Sequence, residues 1–177
     1  MLAQRSTKRG DFLLSSGQRS NLYVDARLTT MSPDGLQLIG QLGLAAVQEH
    51  FYAATAIGGL TLGADPVSYA IALTSAATGN PLRAFTVRKE AKAHGAGRQI
   101  EGPVNPGDQV VVIEDVITTG GSALRAIQVL NANGLHALGV LAVVDREEGG
   151  RNAIEALGIP VVALATASEL LRLLPTP

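Results

Sequence analysis

The segment from Val110 to Ser122, Val-Val-Val-Ile-Glu-Asp-Val-Ile-Thr-Thr-Gly-Gly-Ser, limits what this chain can fold into more than any other. Val110 to Ile113 is apolar and β-branched at every position. That pattern predicts a strand buried on both faces, and so a sheet covered by helices on both sides. Two adjacent acids, Glu114 and Asp115, follow at its carboxyl end. Then comes a turn of small residues, Thr118-Thr119-Gly120-Gly121-Ser122, and a helical pattern from about Ala123. A strand, a glycine and hydroxyl turn and a helix N-terminus together make an anion site, because backbone N–H groups and the helix dipole point at one spot. The glycine spacing is neither G-x-x-x-x-G-K-[ST] nor G-x-G-x-x-G, so neither a Walker loop nor a dinucleotide fingerprint fits. Vicinal carboxylates can accept hydrogen bonds from two neighbouring sugar hydroxyls while the turn holds a phosphate monoester. That pairing describes a ribose 5-phosphate moiety.

The remaining chain is consistent with such a fold. At 177 residues the expectation is a single domain with a core of useful size. Hydrophobic residues make up 46%, which argues against disorder, yet no apolar run approaches the length needed to span a bilayer. Arg5, Lys8 and Arg9 are not followed by an apolar stretch, so no secretory signal is expected. Cysteine is absent, which removes disulfides and thiolate chemistry. Net charge is −1, giving no general case for nucleic acid. A cytoplasmic protein is the expectation.

Taken in order, Phe12-Leu13-Leu14 and Leu22 to Ala26 flank a polar glycine turn and suggest a hairpin, either capping a core or covering a planar ligand. Ser32-Pro33-Asp34 is a helix start, with Leu36, Ile39, Leu42, Leu44 and Val47 as its apolar face. Ala53 to Ile57 reads as a strand, Gly58 to Pro66 as a second glycine-rich turn, and Ala64 to Thr78 as a helix. Leu82 to Val87 is the next strand. It runs into Arg88-Lys89-Glu90-Ala91-Lys92-Ala93-His94-Gly95, the only dense basic run. Glycines and the lack of an apolar face suggest a mobile loop over 88–104, either a solvated surface loop or a lid over a polyanion. The helix after the phosphate turn ends near Gly134. Ala137 to Val144 is a strand that delivers Arg146 to the same rim, as a surface salt bridge or a ligand contact. Val161 to Ala165 is a last strand, and Thr166 with Glu169 forms a capping box opening a helix over Ala167 to Leu174. Strands alternating with helices predict an α/β fold with a mainly parallel sheet and ligands at the strands' carboxyl ends.

Glu114 to Ser122 resembles the phosphoribosyl pyrophosphate (PRPP) signature of the type I phosphoribosyltransferases. Two further stretches resemble the orotate phosphoribosyltransferase family within that fold. Phe12 to Asp25 matches F-x-L-x-S-G-x-x-S-x-x-Y-x-D, a small hood beside the base site, and Arg88 to Gly95 matches R-K-x-x-K-x-H-G, the catalytic loop. The resemblance implies transfer of phosphoribosyl from PRPP to orotate, giving orotidine 5-monophosphate and pyrophosphate, with Mg²⁺ as cofactor. It implies Lys92, Asp115 and His94 as catalytic residues. PRPP would be bound by Arg88, Lys89, Lys92, His94, Glu114, Asp115, Val116, Ile117, Thr118, Thr119, Gly120, Gly121 and Ser122. Orotate would be bound by Thr118, Arg146 and Tyr23. No dedicated metal cage is implied; Mg²⁺ would ride on PRPP, with Asp115 as a contact. A homodimer sharing the catalytic loop across its interface is implied, without membrane or nucleic-acid partners. The chain departs from the family at Ser15, where many members carry lysine, and in the 58–66 turn, which lacks a lysine found in some relatives and would anchor pyrophosphate through backbone N–H groups and Thr61. Only about nine residues precede the hood, so the helix often found there is expected to be missing or rudimentary. A phosphoribosyltransferase for another base, or a regulator that binds PRPP without turnover, shares part of this pattern.

Overall fold

The computed structural model of the chain describes residues 1–13, 19–90 and 99–175. In chain order the elements are α1 (Leu2–Arg5), β1 (Thr7–Leu13), β2 (Arg19–Val24), α2 (Arg27–Thr30), α3 (Pro33–His50), β3 (Ala56–Leu60), α4 (Ala64–Ser75), β4 (Arg83–Val87), β5 (Ile100–Glu101), β6 (Gln109–Ile117), α5 (Gly121–Ala132), β7 (His136–Asp145), α6 (Gly150–Glu155), β8 (Val161–Thr166) and α7 (Ala167–Leu173). β1 and β2 form the antiparallel hairpin expected for the hood. The other six strands make one sheet in the order β5-β4-β3-β6-β7-β8, parallel except for β5. The α/β expectation with a mainly parallel sheet therefore holds.

Alternation along β6 explains its unbroken apolar run. Val110 and Val112 face a core with Ala126, Ile127 and Leu130 of α5, whereas Val111 and Ile113 face a core with Val47 of α3, Ile71 of α4 and Leu170 of α7. All four are fully buried, as a parallel strand covered on both faces requires. α3 lies on α4 through glycines. A Cβ at Gly40 would sit 2.4 Å from Thr74 Oγ1, and one at Gly43 would sit 2.5 Å from Ile71 Cδ1.

The structure corrects several boundaries. β3 runs through Gly58 and Gly59, which the sequence suggested as part of a turn. Both lie in the sheet because neighbouring chains come too close for a side chain: a Cβ at either would lie 2.1 Å from a carbonyl oxygen, of Phe85 or Ile113. The turn itself is Thr61–Gly63, and α4 ends at Ser75 rather than Thr78. β6 continues past the acid pair to Ile117, held by pairing with β7 up to Asp145, so Glu114 and Asp115 sit inside the strand and not after it. Leu42 is 49% exposed and does not belong to the α3 core face, whose buried positions are taken by Ile39, Leu44 and Val47 with Gly35, Gly40 and Gly43. Three short elements, α2, α6 and β5, have no counterpart in the sequence reading. α1 is a single turn of four residues.

The β3–β6 ladder stops at Gly58 and Val112, while β6–β7 continues to Ile117 and β3–β4 to Leu60. The direction in which successive strands are added across the sheet reverses between β3 and β6, which are themselves parallel. At such a point the carboxyl ends separate and a crevice opens.

Candidate functional site

The crevice is a cleft of about 360 Å³, lined from the hood side by Asp25 and Arg27, from the β3–α4 turn by Thr61, Leu62 and Gly63, from β6 by Glu114 and Asp115, and by Lys89, Thr118, Ser122 and Arg146. A second hollow of about 290 Å³ adjoins it, formed by the Thr118–Ser122 turn and the first residues of α5, and shares Glu114, Thr118 and Ser122 with the first.

The turn's shape depends on Gly120, whose φ of 82° suits glycine and whose Cβ would press on the Gly150 carbonyl. Gly150, at the start of α6, supports it from behind by donating its N–H to Thr118 O (2.9 Å). A side chain there would reach within 2.4 Å of that oxygen. α5 begins without any side-chain cap, unlike α3, capped by Ser32, and α7, capped by Thr166 and Glu169. Its first-turn N–H groups therefore face the hollow uncommitted, the arrangement that receives a phosphate.

Glu114 is buried, and its Oε1 has no hydrogen-bond partner among the described residues. Burial, with the adjacent Asp115 adding to it, pushes its carboxyl up to about 8. Asp115 is also raised by burial, opposed by the backbone N–H of Val116 (2.9 Å) and by the charge of Arg27. Its carboxylate packs against Gly63, where a Cβ would lie 2.4 Å from the carboxyl carbon. Gly63 is thus an absent side chain that lets the acid and the turn meet. A buried carboxyl with an unpartnered oxygen beside a half-buried one suits a ligand bearing vicinal hydroxyls.

Arg146 is 6% exposed. Its Nη2 donates to Ser20 Oγ (2.9 Å), Leu22 O (2.9 Å) and Glu148 Oε1 (2.7 Å), while its buried Nε has no partner among the described residues. The guanidinium thus ties the hood to the rim of the sheet. The next residue, Glu147, adopts a left-handed φ of 58°, held by its N–H on Asp145 Oδ1 (2.8 Å) and by Ser168 on its carboxylate (2.7 and 2.5 Å). Asp145 in turn accepts from Arg151 Nε (2.8 Å).

Not every expected residue reaches the cleft. Tyr23 is 41% exposed, packs at a tilt against Phe12 with ring centroids 5.5 Å apart, and does not line the cleft; strand alternation in β2 turns it to the side opposite buried Leu22. From that edge of the hood Arg27 faces the cleft instead, gripped by Asp25 (2.9 and 3.1 Å). Thr61, expected to anchor an anion, donates its hydroxyl to Asp65 Oδ2 (2.7 Å) and its N–H to Val87 O (2.9 Å). Arg88 leans towards Glu101 on β5 at 3.7 Å, while Lys89 lines the cleft and its carbonyl accepts from Arg125 of α5. Lys92, His94 and Ser15 lie outside the described residues. Arg27, Gly63, Gly150 and Glu148 were not singled out from the sequence, and Asp25 entered only as the last residue of the hood motif. The Asp-x-Arg spacing at 25 and 27 was a usable signal for one ion pair; the others depend on tertiary approach.

A scan against protein-family models found no match. The chain is 52% identical over 174 residues to an orotate phosphoribosyltransferase of Aquifex aeolicus, covering 97% of this chain and 94% of that protein. It is 42% identical to an orotate phosphoribosyltransferase of Rhodopirellula baltica, covering 96% and 90%. Among solved structures, Mycobacterium tuberculosis orotate phosphoribosyltransferase in complex with Fe(III) dicitrate aligns with a TM-score of 0.82 at 41% identity, covering 96% of this chain and 94% of that one. The same protein in complex with PRPP aligns at 0.73 and 40% identity, covering 83% and 82%. Near full-length identity at this level, with the same fold, means that the chain belongs to the orotate phosphoribosyltransferase family.

Proposed function

We infer that the cleft is the active site in which this chain transfers the 5-phosphoribosyl group of PRPP to orotate, giving orotidine 5-monophosphate and pyrophosphate. The observation that carries the site assignment is the pairing of the buried Glu114 carboxyl, one oxygen of which has no partner among the described residues, and the half-buried Asp115 with an uncapped phosphate turn in adjoining hollows. The turn from Thr118 to Ser122 takes the 5-phosphate on its N–H groups and hydroxyls. Glu114 and Asp115 accept from the ribose 2- and 3-hydroxyls. The pyrophosphate then falls towards Thr61–Gly63, Arg27 and Lys89, and the base lies between the hood and Arg146. The unpartnered, buried Nε of Arg146 supports its reading as a donor to the orotate carboxylate, with Thr118 on the ring.

The bond from the anomeric carbon to pyrophosphate oxygen breaks, a bond to the orotate ring nitrogen forms, and the proton of that ring N–H passes to the departing pyrophosphate or to water. Positive charge develops on the ribose as in glycosyl transfer. Asp115, at the edge of the ribose, is the anion best placed to stabilise it. Arg88, Lys89, Lys92 and His94 neutralise the departing pyrophosphate, and water must be kept from the reacting carbon; Ile100–Glu101, at the far end of the expected 88–104 loop, is strand β5 paired to β4. Asp25 and Asp115 line the cleft with carboxylate oxygens of the kind Mg²⁺ prefers; Asp115 would be its protein contact, with most of its other ligands supplied by PRPP and water. The ion supplies charge neutralisation to the pyrophosphate oxygens.

A homodimer is part of this reading. α3 and α4 present an apolar groove of about 440 Å³ lined by Leu36, Tyr69 and Leu73, and Leu38 and Leu42 of α3 are also exposed. The chain acts as one domain, with residues 1–30 as hood, in the cytoplasm; no helix among the described residues is long and apolar enough to cross a membrane. Ultraviolet absorbance of orotate, followed with PRPP and Mg²⁺ beside adenine, guanine and uracil, tests the reaction. PRPP-dependent loss of orotate alone is expected. Turnover of another base would overturn the base site, and PRPP binding without turnover would place the chain among regulators.

A further inference from the structure

We infer that Asp65 is a positioning residue for pyrophosphate: its carboxylate joins the hydroxyls of Thr61 and Thr86 and so fixes the Thr61–Gly63 turn in its receiving shape. The inference rests on the reading that this turn takes pyrophosphate. Asp65 stands in the first turn of α4, where the helix dipole favours its charge. Its Oδ2 accepts from Thr61 Oγ1 at 2.7 Å and its Oδ1 from Thr86 Oγ1 at 2.8 Å. Tyr69 OH lies 3.0 Å from Thr86 Oγ1. Proton bookkeeping fixes the direction of that last bond. An ionised carboxylate only accepts, so the single Thr86 proton goes to Asp65, and Tyr69 must donate to Thr86. Two protons therefore run along one chain, from Tyr69 to Thr86 to Asp65 Oδ1, and a third comes from Thr61 to Oδ2, so both arms end on Asp65.

Two consequences follow for the turn. The Thr61 hydroxyl and N–H are both committed, to Asp65 and to Val87 O, so Thr61 does not itself donate to an anion. The donors left at the turn are the N–H groups of Leu62 and Gly63, which meet no acceptor among the described residues. Those groups aim correctly only while Thr61 is held from behind. Asp65 also grips β4 one residue before Val87, so the turn and the strand leading to Arg88 share one clamp.

The test is calorimetric binding of pyrophosphate in magnesium buffer, with ribose 5-phosphate as the control ligand for the other turn. Losing a charge-assisted hydrogen bond that orients two donors should cost about tenfold in affinity. Asp65→Ala and Thr86→Val are expected to weaken pyrophosphate binding by about that factor and leave ribose 5-phosphate within about twofold, while Thr86→Ser retains the native affinity. Leu62→Asp places a negative charge on the turn and checks the underlying assignment. If Leu62→Asp weakens pyrophosphate binding but neither Asp65→Ala nor Thr86→Val does, the Asp65 inference is wrong and the turn assignment stands. If all three leave it unchanged, the turn assignment fails and takes the inference with it. Equal loss for both ligands would show a merely structural role and also overturn it. Should Asp65→Ala not fold, Thr86→Val and Thr61→Val carry the same comparison.

Discussion

Replacing Glu114 by glutamine should change how the stability of this protein depends on pH. The side chain is 6% exposed, Oε1 has no hydrogen-bond partner among the described residues, and burial with the neighbouring Asp115 raises the carboxyl from 4.5 to about 8. Between those two pH values the folded chain keeps a proton that the unfolded chain has released. The stability associated with the neutral acid is therefore complete below the unfolded value and is lost as pH rises towards about 8. At about 1.4 kcal/mol per pH unit the full span corresponds to about 5 kcal/mol, and water entering the open cleft reduces it to about 2–3 kcal/mol. In Glu114→Gln that loss disappears. The two proteins should melt together near about pH 5, and the variant should melt about 5–10 °C higher near about pH 8.5, taking about 2–4 °C per kcal/mol for a chain of this size. Circular dichroism melts without ligand, across that range, measure it directly. Ribose hydroxyls favour the ionised form, so PRPP binding near neutral pH should also release a proton. Its heat should then depend on buffer in the native protein and not in the variant. Parallel melting curves at every pH would refute the assignment of Glu114 as a buried neutral acid.

Arg146→Lys should lower kcat/KM for orotate by about 10–100-fold with less effect on PRPP affinity, because an ammonium cannot serve the hood and a carboxylate with one planar fork; steady-state kinetics with each substrate varied decides it. Gly63→Ala puts a methyl group 2.4 Å from the Asp115 carboxyl carbon, so PRPP affinity should fall at least about tenfold while the melting temperature moves little. Mixing Lys92→Ala with Asp115→Asn protein, each inactive alone, should restore about a quarter of native activity if the catalytic loop crosses a dimer interface; no recovery after subunit exchange would refute the crossing. Thr166→Ala removes the α7 capping box at a cost of about 1 kcal/mol, seen as a lower melting temperature with unchanged PRPP affinity.

Much of this architecture was legible because the strands carry it. Val110 to Ile113 announces a doubly covered strand, and the turn after it can serve few purposes other than anion binding. Where reading failed, the missing information was non-local. Gly58 and Gly59 look like a turn until Phe85 and Ile113 are seen to press on them. Glu114 and Asp115 look like the end of a strand because the pairing that extends β6 is supplied by β7, from a later stretch of chain. Tyr23 has the residue type expected beside a base, but pleat parity in β2 turns it away and leaves Arg27 facing the cleft. Gly63 and Gly150 matter by what they leave out, which composition does not reveal.

The attachment of the hood bears on the order in which the protein matures on the ribosome. Arg9 of β1 donates to the Leu171 carbonyl at 2.6 Å across 162 positions, and Ser20 and Leu22 of β2 meet Arg146 across 126 and 124. Residues translated early are thus fastened to residues translated later. Such contacts close only after the intervening chain has emerged and paid its loop entropy. The sheet from β3 to β7 can assemble during synthesis, but its hood must wait for α7. A nascent chain therefore holds a phosphate turn before it holds a complete base site, and catalytic competence should arrive as a late, single event rather than gradually.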